Sequence, residues 1–306
     1  MKLLVTGGAG FIGSHLADTL LAKGHSVVII DNLSTGKQKN LNPKARFYRM
    51  DIRSPRLLGV FQKEKPRIAF HFAAQADVRK SVRSPQEDAD VNILGSLNVL
   101  EQCRKHRTQK VIFASTGGAI YGNPFQLPTP ETFPPEPISP YGVAKLTVEH
   151  YLQSYLHLHG LSFAALRFGN VYGPRQDPTG EAGVVAIFAK AFTEIKRPVI
   201  YGSGRQTRDF VFVEDVVRSA FLAAKSRASG IFNIGTGKET SVRFLAEELS
   251  RIYGSGLKPR FAPLREGELE RSFLDCRKAK RIFGWEPKVS LTEGLTRTVR
   301  WVDGRK

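Results

Sequence analysis

The chain has 306 residues, 41% of them hydrophobic, enough to bury a full core and make one large α/β domain with a smaller lobe. No apolar run nears the roughly 18 residues of a membrane span, and a first strand beginning at Lys2 leads us to expect a cytoplasmic protein without a signal peptide. The formal charge of +18 would suit nucleic acid, but the basic residues are spread along the chain without interleaved aromatics, so we expect a solvated basic surface that attracts an anionic substrate.

Lys2-Leu3-Leu4-Val5-Thr6 reads as a short apolar strand. Gly7-Gly8-Ala9-Gly10-Phe11-Ile12-Gly13 then opens an amphipathic stretch, and Val27-Val28-Ile29-Ile30-Asp31 is a second apolar run. Together they make one βαβ unit. The glycines let the backbone turn sharply and approach a pyrophosphate at the N-terminus of the helix. Asp31 lies about 20 residues on, where an acid hydrogen-bonds a ribose 2′-hydroxyl. It would repel a 2′-phosphate, and Asn32-Leu33-Ser34 offers no arginine to receive one, so NAD is favoured over NADP. A glycine loop alone could close any α/β unit; here both strands, the helix and the acid accompany it.

Further strand-like runs follow at Ala45–Met50, Arg67–Ala74, Lys110–Ser115 and Phe163–Phe168, the last after a helix from about Tyr141 to His159. This alternation predicts a Rossmann-type, doubly wound parallel sheet. Asp31, Asp51, Ser115, Thr116 and Asn170 fall at the carboxyl ends of strands, where such sheets bind ligands. Seven prolines between Gly122 and Pro140 exclude regular structure and predict a loop over the cleft. We expect residues 1–173 to form the dinucleotide domain, with 207–234, including Asp209–Val213, returning to it. Residues 174–206 and 235–306 are expected to form the smaller, substrate-binding lobe.

Tyr141 and Lys145 stand at i and i+4 on one helix face. An ordinary tyrosine carries little phenolate at neutral pH, and a cation beside it favours the ionised form. The pair therefore suits proton exchange with an alcohol next to a hydride acceptor. Two cysteines, Cys103 and Cys276, fit neither a disulfide framework nor a metal site and read as buried and reduced. His150, His157 and His159 lack partners at ligand spacing, and no metal is expected. His71, at a strand end, is tempting as a base but reads as structural.

Thr6–His15, Asp31-Asn32-Leu33, His71–Gln75, Ser115–Gly122, Tyr141–Lys145, Arg167–Pro174, Arg208–Val211 and Arg265–Glu268 together resemble the extended short-chain dehydrogenase/reductases. Within these the chain is most similar to the NAD-dependent nucleotide-sugar epimerase/dehydratase family, in particular its UDP-glucose 4-epimerases. The resemblance runs essentially end to end. It implies that NAD contacts Gly7, Gly10, Phe11, Ile12, Gly13, Asp31, Asn32, Ser34, Gly36, Asp51, Ile52, Phe72, Ala73, Ala74, Asn92, Ser115, Tyr141, Lys145 and Phe168. It further implies that Tyr141 deprotonates the sugar 4-hydroxyl with the help of Thr116 and Lys145, giving a 4-keto sugar that turns and is reduced on its other face. Asn170, Arg208 and Arg265 match positions that hold the diphosphate, a task that suits the guanidinium fork.

Between Phe113 and Tyr121 the chain has one residue more than the commonest epimerase pattern. Counting from the strand puts Thr116 at the hydroxyl position, with Ser115 beside it; counting back from Tyr121 puts Gly117 there. Gly117-Gly118 also stand where 4,6-dehydratases need an acid/base pair, which argues against that reaction. Ser272 replaces the bulky Tyr of hexose-only epimerases; in relatives a small residue there leaves room for an N-acetyl group at C2, unless neighbouring loops fill the space, so UDP-glucose and UDP-galactose are the expected substrates and UDP-N-acetylhexosamines an optional addition. The alternatives are a UDP-glucuronate 4-epimerase or decarboxylase, and a non-catalytic NAD-binding protein. In relatives, helices corresponding to about 88–107 and 141–159 pair to make a homodimer.

Overall fold

The computed structural model describes residues 1–179, 183–264 and 269–304. The first part of the chain gives β1 (Lys2–Thr6), α1 (Phe11–Ala22), β2 (Ser26–Asp31), β3 (Arg46–Arg49), α2 (Leu57–Glu64), β4 (Ile68–His71), α3 (Val78–Arg83), α4 (Pro85–Ala89) and α5 (Gly95–Lys105). Next come β5 (Lys110–Thr116), α6 (Gly117–Ile120), α7 (Pro140–His159), β6 (Ser162–Phe168), β7 (Asn170–Tyr172), α8 (Val184–Thr193), β8 (Val199–Tyr201), β9 (Thr207–Arg208) and β10 (Phe210–Phe212). The remainder is α9 (Val213–Lys225), β11 (Gly230–Ile234), β12 (Thr240–Ser241), α10 (Val242–Tyr253), β13 (Arg260–Ala262), β14 (Arg271–Ser272), α11 (Arg277–Phe283) and α12 (Leu291–Val302).

The main sheet has seven strands in the order β11-β6-β5-β4-β1-β2-β3, every pair parallel. Its strands are apolar runs rather than alternating ones because both faces are covered. Leu3, Val5, Val27, Ile29, Phe70, Ile112 and Leu166 point into one core, which α1 and α9 close with Leu16, Leu20, Val216 and Ala220. Leu4, Val28, Ile30, Ala69, Val111, Phe113 and Phe163 point into the other, closed by Phe61 of α2, Val99 of α5 and Val148 of α7. Each such buried Val, Leu, Ile or Phe side chain contributes about 1.5–3 kcal/mol.

Asp209–Val213 does not re-enter the main sheet. Phe210–Phe212 pairs instead with β7, α9 packs on α1, β5 and β6, and β11 takes the sheet edge beside β6. Two more small sheets, β12-β9-β14 and β13-β8, build the remaining lobe. The segment expected as one helix over 88–107 is α4, a π-helical turn at Asp90–Leu94, and α5. Among the described residues no helix is long and apolar enough to cross a membrane. Cys103 is buried, whereas Cys276 is only partly so.

Candidate active site

Register gathers the polar strand ends along one rim. Thr6 lies beside Ile30 and His71, His71 beside Phe113, and Thr116 beside Phe168. The strand order reverses at β1, which opens the crevice in which sheets of this kind bind ligands.

The glycine loop fills that crevice's floor without room for side chains. Gly7 has φ +72°, and a Cβ on it would stand 2.7 Å from Ala73 N; one on Gly13 would stand 2.1 Å from Gly7 O. Helix α1 begins at Phe11 with Gly10 as its N-cap and no side-chain cap. The first-turn N–H groups of Phe11, Ile12 and Gly13 therefore have no intrahelical acceptor and suit an anion such as pyrophosphate. Asp31 accepts the N–H of Ala9 on Oδ2 (2.9 Å) and of Leu33 on Oδ1 (2.8 Å), leaving each oxygen a lone pair for ribose hydroxyls. A Cβ on Gly36 would stand 2.8 Å from Asp31 Oδ1, so the loop through Ser34 lies against this carboxylate.

Asn32 Nδ2 donates to Asp51 Oδ2 at 2.9 Å and Asn32 Oδ1 accepts the Ser34 N–H at 3.0 Å. The Arg53 guanidinium holds the Asp51 carboxyl well below the usual carboxylate range. Ile52 beside it is buried. Arg53 is committed to Asp51 and Asp90, and Lys37 to Asp177. These two cations are thus engaged away from Asp31, while Arg49 of β3 stands in register beside it; the paired lone pairs of the Asp31 carboxylate fit a free ribose diol.

The crevice wall is a chain of buried hydrogen bonds. Thr6 Oγ1 accepts from Phe72 N and Ala73 N, both at 3.1 Å, and so donates to His71 Nδ1 at 2.8 Å. His71 Nε2 then donates to Ser96 Oγ at 2.8 Å, which donates to Asn92 O at 2.6 Å. These bonds assign the neutral Nε2–H tautomer, and burial pushes the imidazole down to about 3. His71 is structural. Asn92 Nδ2 donates to Gln75 O and Asp88 Oδ1, and its Oδ1 accepts from Gln75 N, all at 2.9 Å. Asn92 thereby fixes the turn after Ala73 and Ala74.

Ser139 and Pro140 start α7, the Ser139 hydroxyl accepting from Gly142 N at 3.2 Å. The Tyr141 N–H donates to Ser81 Oγ on α3 at 3.2 Å. A Cβ on Gly142 would stand 2.4 Å from Ala119 O, so only glycine lets this turn press on α6. Lys145 Nζ donates to Ala114 O at 2.9 Å and sits 4.7 Å from the Phe113 ring centroid and 5.7 Å from that of Tyr141. Burial, and then the charge of Asp88, raise the Tyr141 phenol above its ordinary value. Burial lowers Lys145 to about 8. The depression of the phenol expected from its neighbouring cation is therefore not found; in the protein alone burial sets the direction.

Ser115 is committed to Glu149, donating to Oε1 at 2.6 Å, and Arg167 forks onto the same carboxylate. Thr116 makes no cap bond to α6, and its hydroxyl stays available. A Cβ on Gly118 would lie 4.0 Å from Thr116 Oγ1 and 3.9 Å from Asn170 Oδ1, so these two groups face one space. Phe168, in register with Thr116, is buried with its ring 6.1 Å from that of Phe72.

Asn170 opens β7 beside Phe210, and Arg208 precedes Phe210 by two residues. Ser272 pairs in register with Arg208 and is buried. The structure therefore brings Asn170, Arg208 and Ser272 to one side of the cleft; Arg265 lies outside the described residues. Sequence reasoning missed the buried acids Glu149, Asp209 and Asp88. Asp209 ties the lobe together by accepting from Thr236 N and Oγ1, Gly237 N and Leu274 N. Asp88 lies behind Asn92, and only the i, i+4 spacing of the two residues hinted at it.

Known proteins resemble this chain in sequence and fold. The model of the NAD dependent epimerase/dehydratase family matches residues 3–235. A UDP-glucose 4-epimerase of Mycolicibacterium smegmatis is 46% identical over 308 residues, 98% of each chain. The structure of Thermotoga maritima UDP-glucose 4-epimerase with UDP-glucose superposes with a TM-score of 0.97 at 50% identity, covering 99% of this chain and 98% of its own. Thermus thermophilus UDP-glucose 4-epimerase in complex with NAD gives 0.94 at 45% identity over 99% of each chain. With a family model spanning most of its length and relatives alike from end to end, this chain belongs to the NAD-dependent epimerase/dehydratase family.

Proposed function

We propose that the protein is a UDP-glucose/UDP-galactose 4-epimerase. The observation that carries this reading is the Tyr141–Lys145 pair at the rim of a dinucleotide cradle, with the one uncommitted hydroxyl of the β5 end, Thr116, facing the same cleft as Asn170. The likeness to an enzyme solved with UDP-glucose supports it. Bound NAD supplies reversible hydride exchange at the sugar C4. The glycine loop and the first turn of α1 hold its pyrophosphate; Asp31, Asn32, Ser34 and Gly36 surround its ribose; Asp51 and Ile52 border its base. Tyr141 takes the proton of the 4-hydroxyl as C4 is oxidised, and gives it back after the 4-keto sugar has turned. Thr116 holds the reacting oxygen, and Lys145 orients the phenol and stabilises its anion. Asn170, Arg208 and Arg265 hold the diphosphate. Ser272, small and buried beside Arg208, adds UDP-N-acetylhexosamines to the substrates.

The protein acts in the cytoplasm as a homodimer, with α5 and α7 meeting a second copy. The test is incubation of purified protein with UDP-galactose, with and without added NAD, and chromatography for UDP-glucose. Wild type is expected to interconvert the two, and Tyr141→Phe to lose at least about 100-fold in rate. Retained NAD with neither sugar changed would overturn the substrate assignment and turn attention to UDP-glucuronate and dTDP-linked sugars.

A further inference from the structure

Asp88 is 1% exposed and sits on α4, which packs against α7, the helix of Tyr141 and Lys145. Its Oδ1 accepts from Asn92 Nδ2 and Gln75 Nε2, both at 2.9 Å. Among the described residues no donor reaches Oδ2. Leaving a buried carboxylate oxygen without a protein donor is costly and calls for a physical explanation. The buried acid on α7 itself, Glu149, is different: Arg167 from β6 forks onto it and takes up its charge. From β4, His71 is neutral and both its nitrogens are occupied. On the outer side of α4, Glu87 is paired with Lys80, and Asp90 just beyond it with Arg53. On α3, which also packs against α4, Arg79 and Arg83 are exposed and Asp77 caps its own helix. Among the described residues no guanidinium or ammonium ion pair cancels the charge of Asp88.

We propose that Asp88 is a positioning residue for Tyr141 and Lys145: Oδ1 locks Gln75 and Asn92 into the crevice wall, and the charge at Oδ2 favours the cation at Lys145 and opposes the phenolate at Tyr141, so that the phenol gives its proton to bulk water only once the cleft is loaded and then takes that of the 4-hydroxyl. The inference rests on the epimerase reading of the site. Its electrostatic sense is consistent for both partners, since the Asp88 charge opposes ionisation of Tyr141 and supports protonation of Lys145 ahead of Glu149. Removing that charge eases loss of a proton from either group, so both limbs of the pH profile move to lower pH. The limbs belong to the pair, not to one residue.

The experiment compares wild type, Asp88→Asn and Asp88→Glu. Asn keeps an acceptor for Gln75 and Asn92, and Glu keeps the charge. In the kcat profile for UDP-galactose, Asp88→Asn is expected to shift both limbs down by about half a pH unit or more, with Asp88→Glu near wild type. Tyrosinate difference absorbance, each protein read against its own Tyr141→Phe version, gives the phenol midpoint without turnover. Limbs and midpoint that stay in place in Asp88→Asn while the rate falls would overturn the proposal, as would Asp88→Glu shifting like Asp88→Asn. If wild type turns over no sugar but the tyrosinate midpoint still falls in Asp88→Asn, the epimerase reading fails and the role of Asp88 stands.

Discussion

A methyl group at residue 13 has nowhere to go. Its carbon would lie 2.1 Å from Gly7 O and 2.8 Å from Gly7 C, backbone atoms of the loop that cradles the pyrophosphate. Gly13→Ala is expected to fold with its strands intact but to release no NAD on denaturation, as read from nucleotide absorbance of the supernatant. Gly59 in α2 gives the opposite result. Nothing lies within 4 Å of a Cβ there, so Gly59→Ala gains helix propensity and raises stability by about 0.5–1 kcal/mol in urea titrations. The loop glycines were legible because their spacing, the flanking strands and Asp31 belong to one local unit. The same local reasoning reached Tyr141 and Lys145 as a pair on one helix face. It could not reach Asp88, whose partner Gln75 lies across a turn at a separation of 13 residues. Nor could it see that burial raises the Tyr141 phenol, because burial is a property of the assembled cleft.

At the scale of elements, the weakest part of the main sheet is its edge. β3 is four residues long, flanks β2 on one side only, and is exposed at both ends. Glu64, the last residue of α2, holds it: Tyr48 donates to Oε1 at 2.5 Å and Arg46 at 2.8 Å, while Lys2 of β1 donates to Oε2 at 2.9 Å. These donors hold the Glu64 carboxyl at about 2. A lowered folded-state value means stability that is complete above the unfolded value and is lost as pH falls toward the folded one. Glu64→Gln is therefore expected to lower stability by about 2 kcal/mol at neutral pH, discounted for the half-exposed Lys2 and Arg46. The gap between variant and wild type should close as pH falls from about 5 to about 2; a gap that holds constant in urea titrations across that range would show that packing, not charge, is lost. The apolar runs announced the strands, but not every partnership. Phe210–Phe212 reads like a sheet strand, yet it pairs with Asn170–Tyr172, because partner choice among short apolar strands is settled by the surrounding lobe.

For the whole molecule the question is how two chains of the same charge could associate. At a net charge of +18 each, two copies repel at long range, and salt of about 0.15 M screens that repulsion beyond roughly 8 Å. A stable contact between them must therefore be carried by apolar surface. Leu94 (59% exposed), just before α5, and Val143 (48%), Tyr151 (38%) and Leu158 (66%) on α7 would supply it in the proposed dimer, on elements that pack against each other. Paired across a two-fold, each such patch meets itself, so every apolar residue is used twice. Light scattering after size exclusion is expected to give the mass of two 34.0 kDa chains. The dimer should tighten as salt rises, the reverse of an ion-paired interface. Leu94→Glu with Tyr151→Glu places new charges in the patch without touching Tyr141 or Lys145, and is expected to yield a folded monomer that still retains NAD. A wild-type protein that runs as a single chain at every salt concentration would rule the dimer out and leave these side chains as ordinary exposed apolar surface.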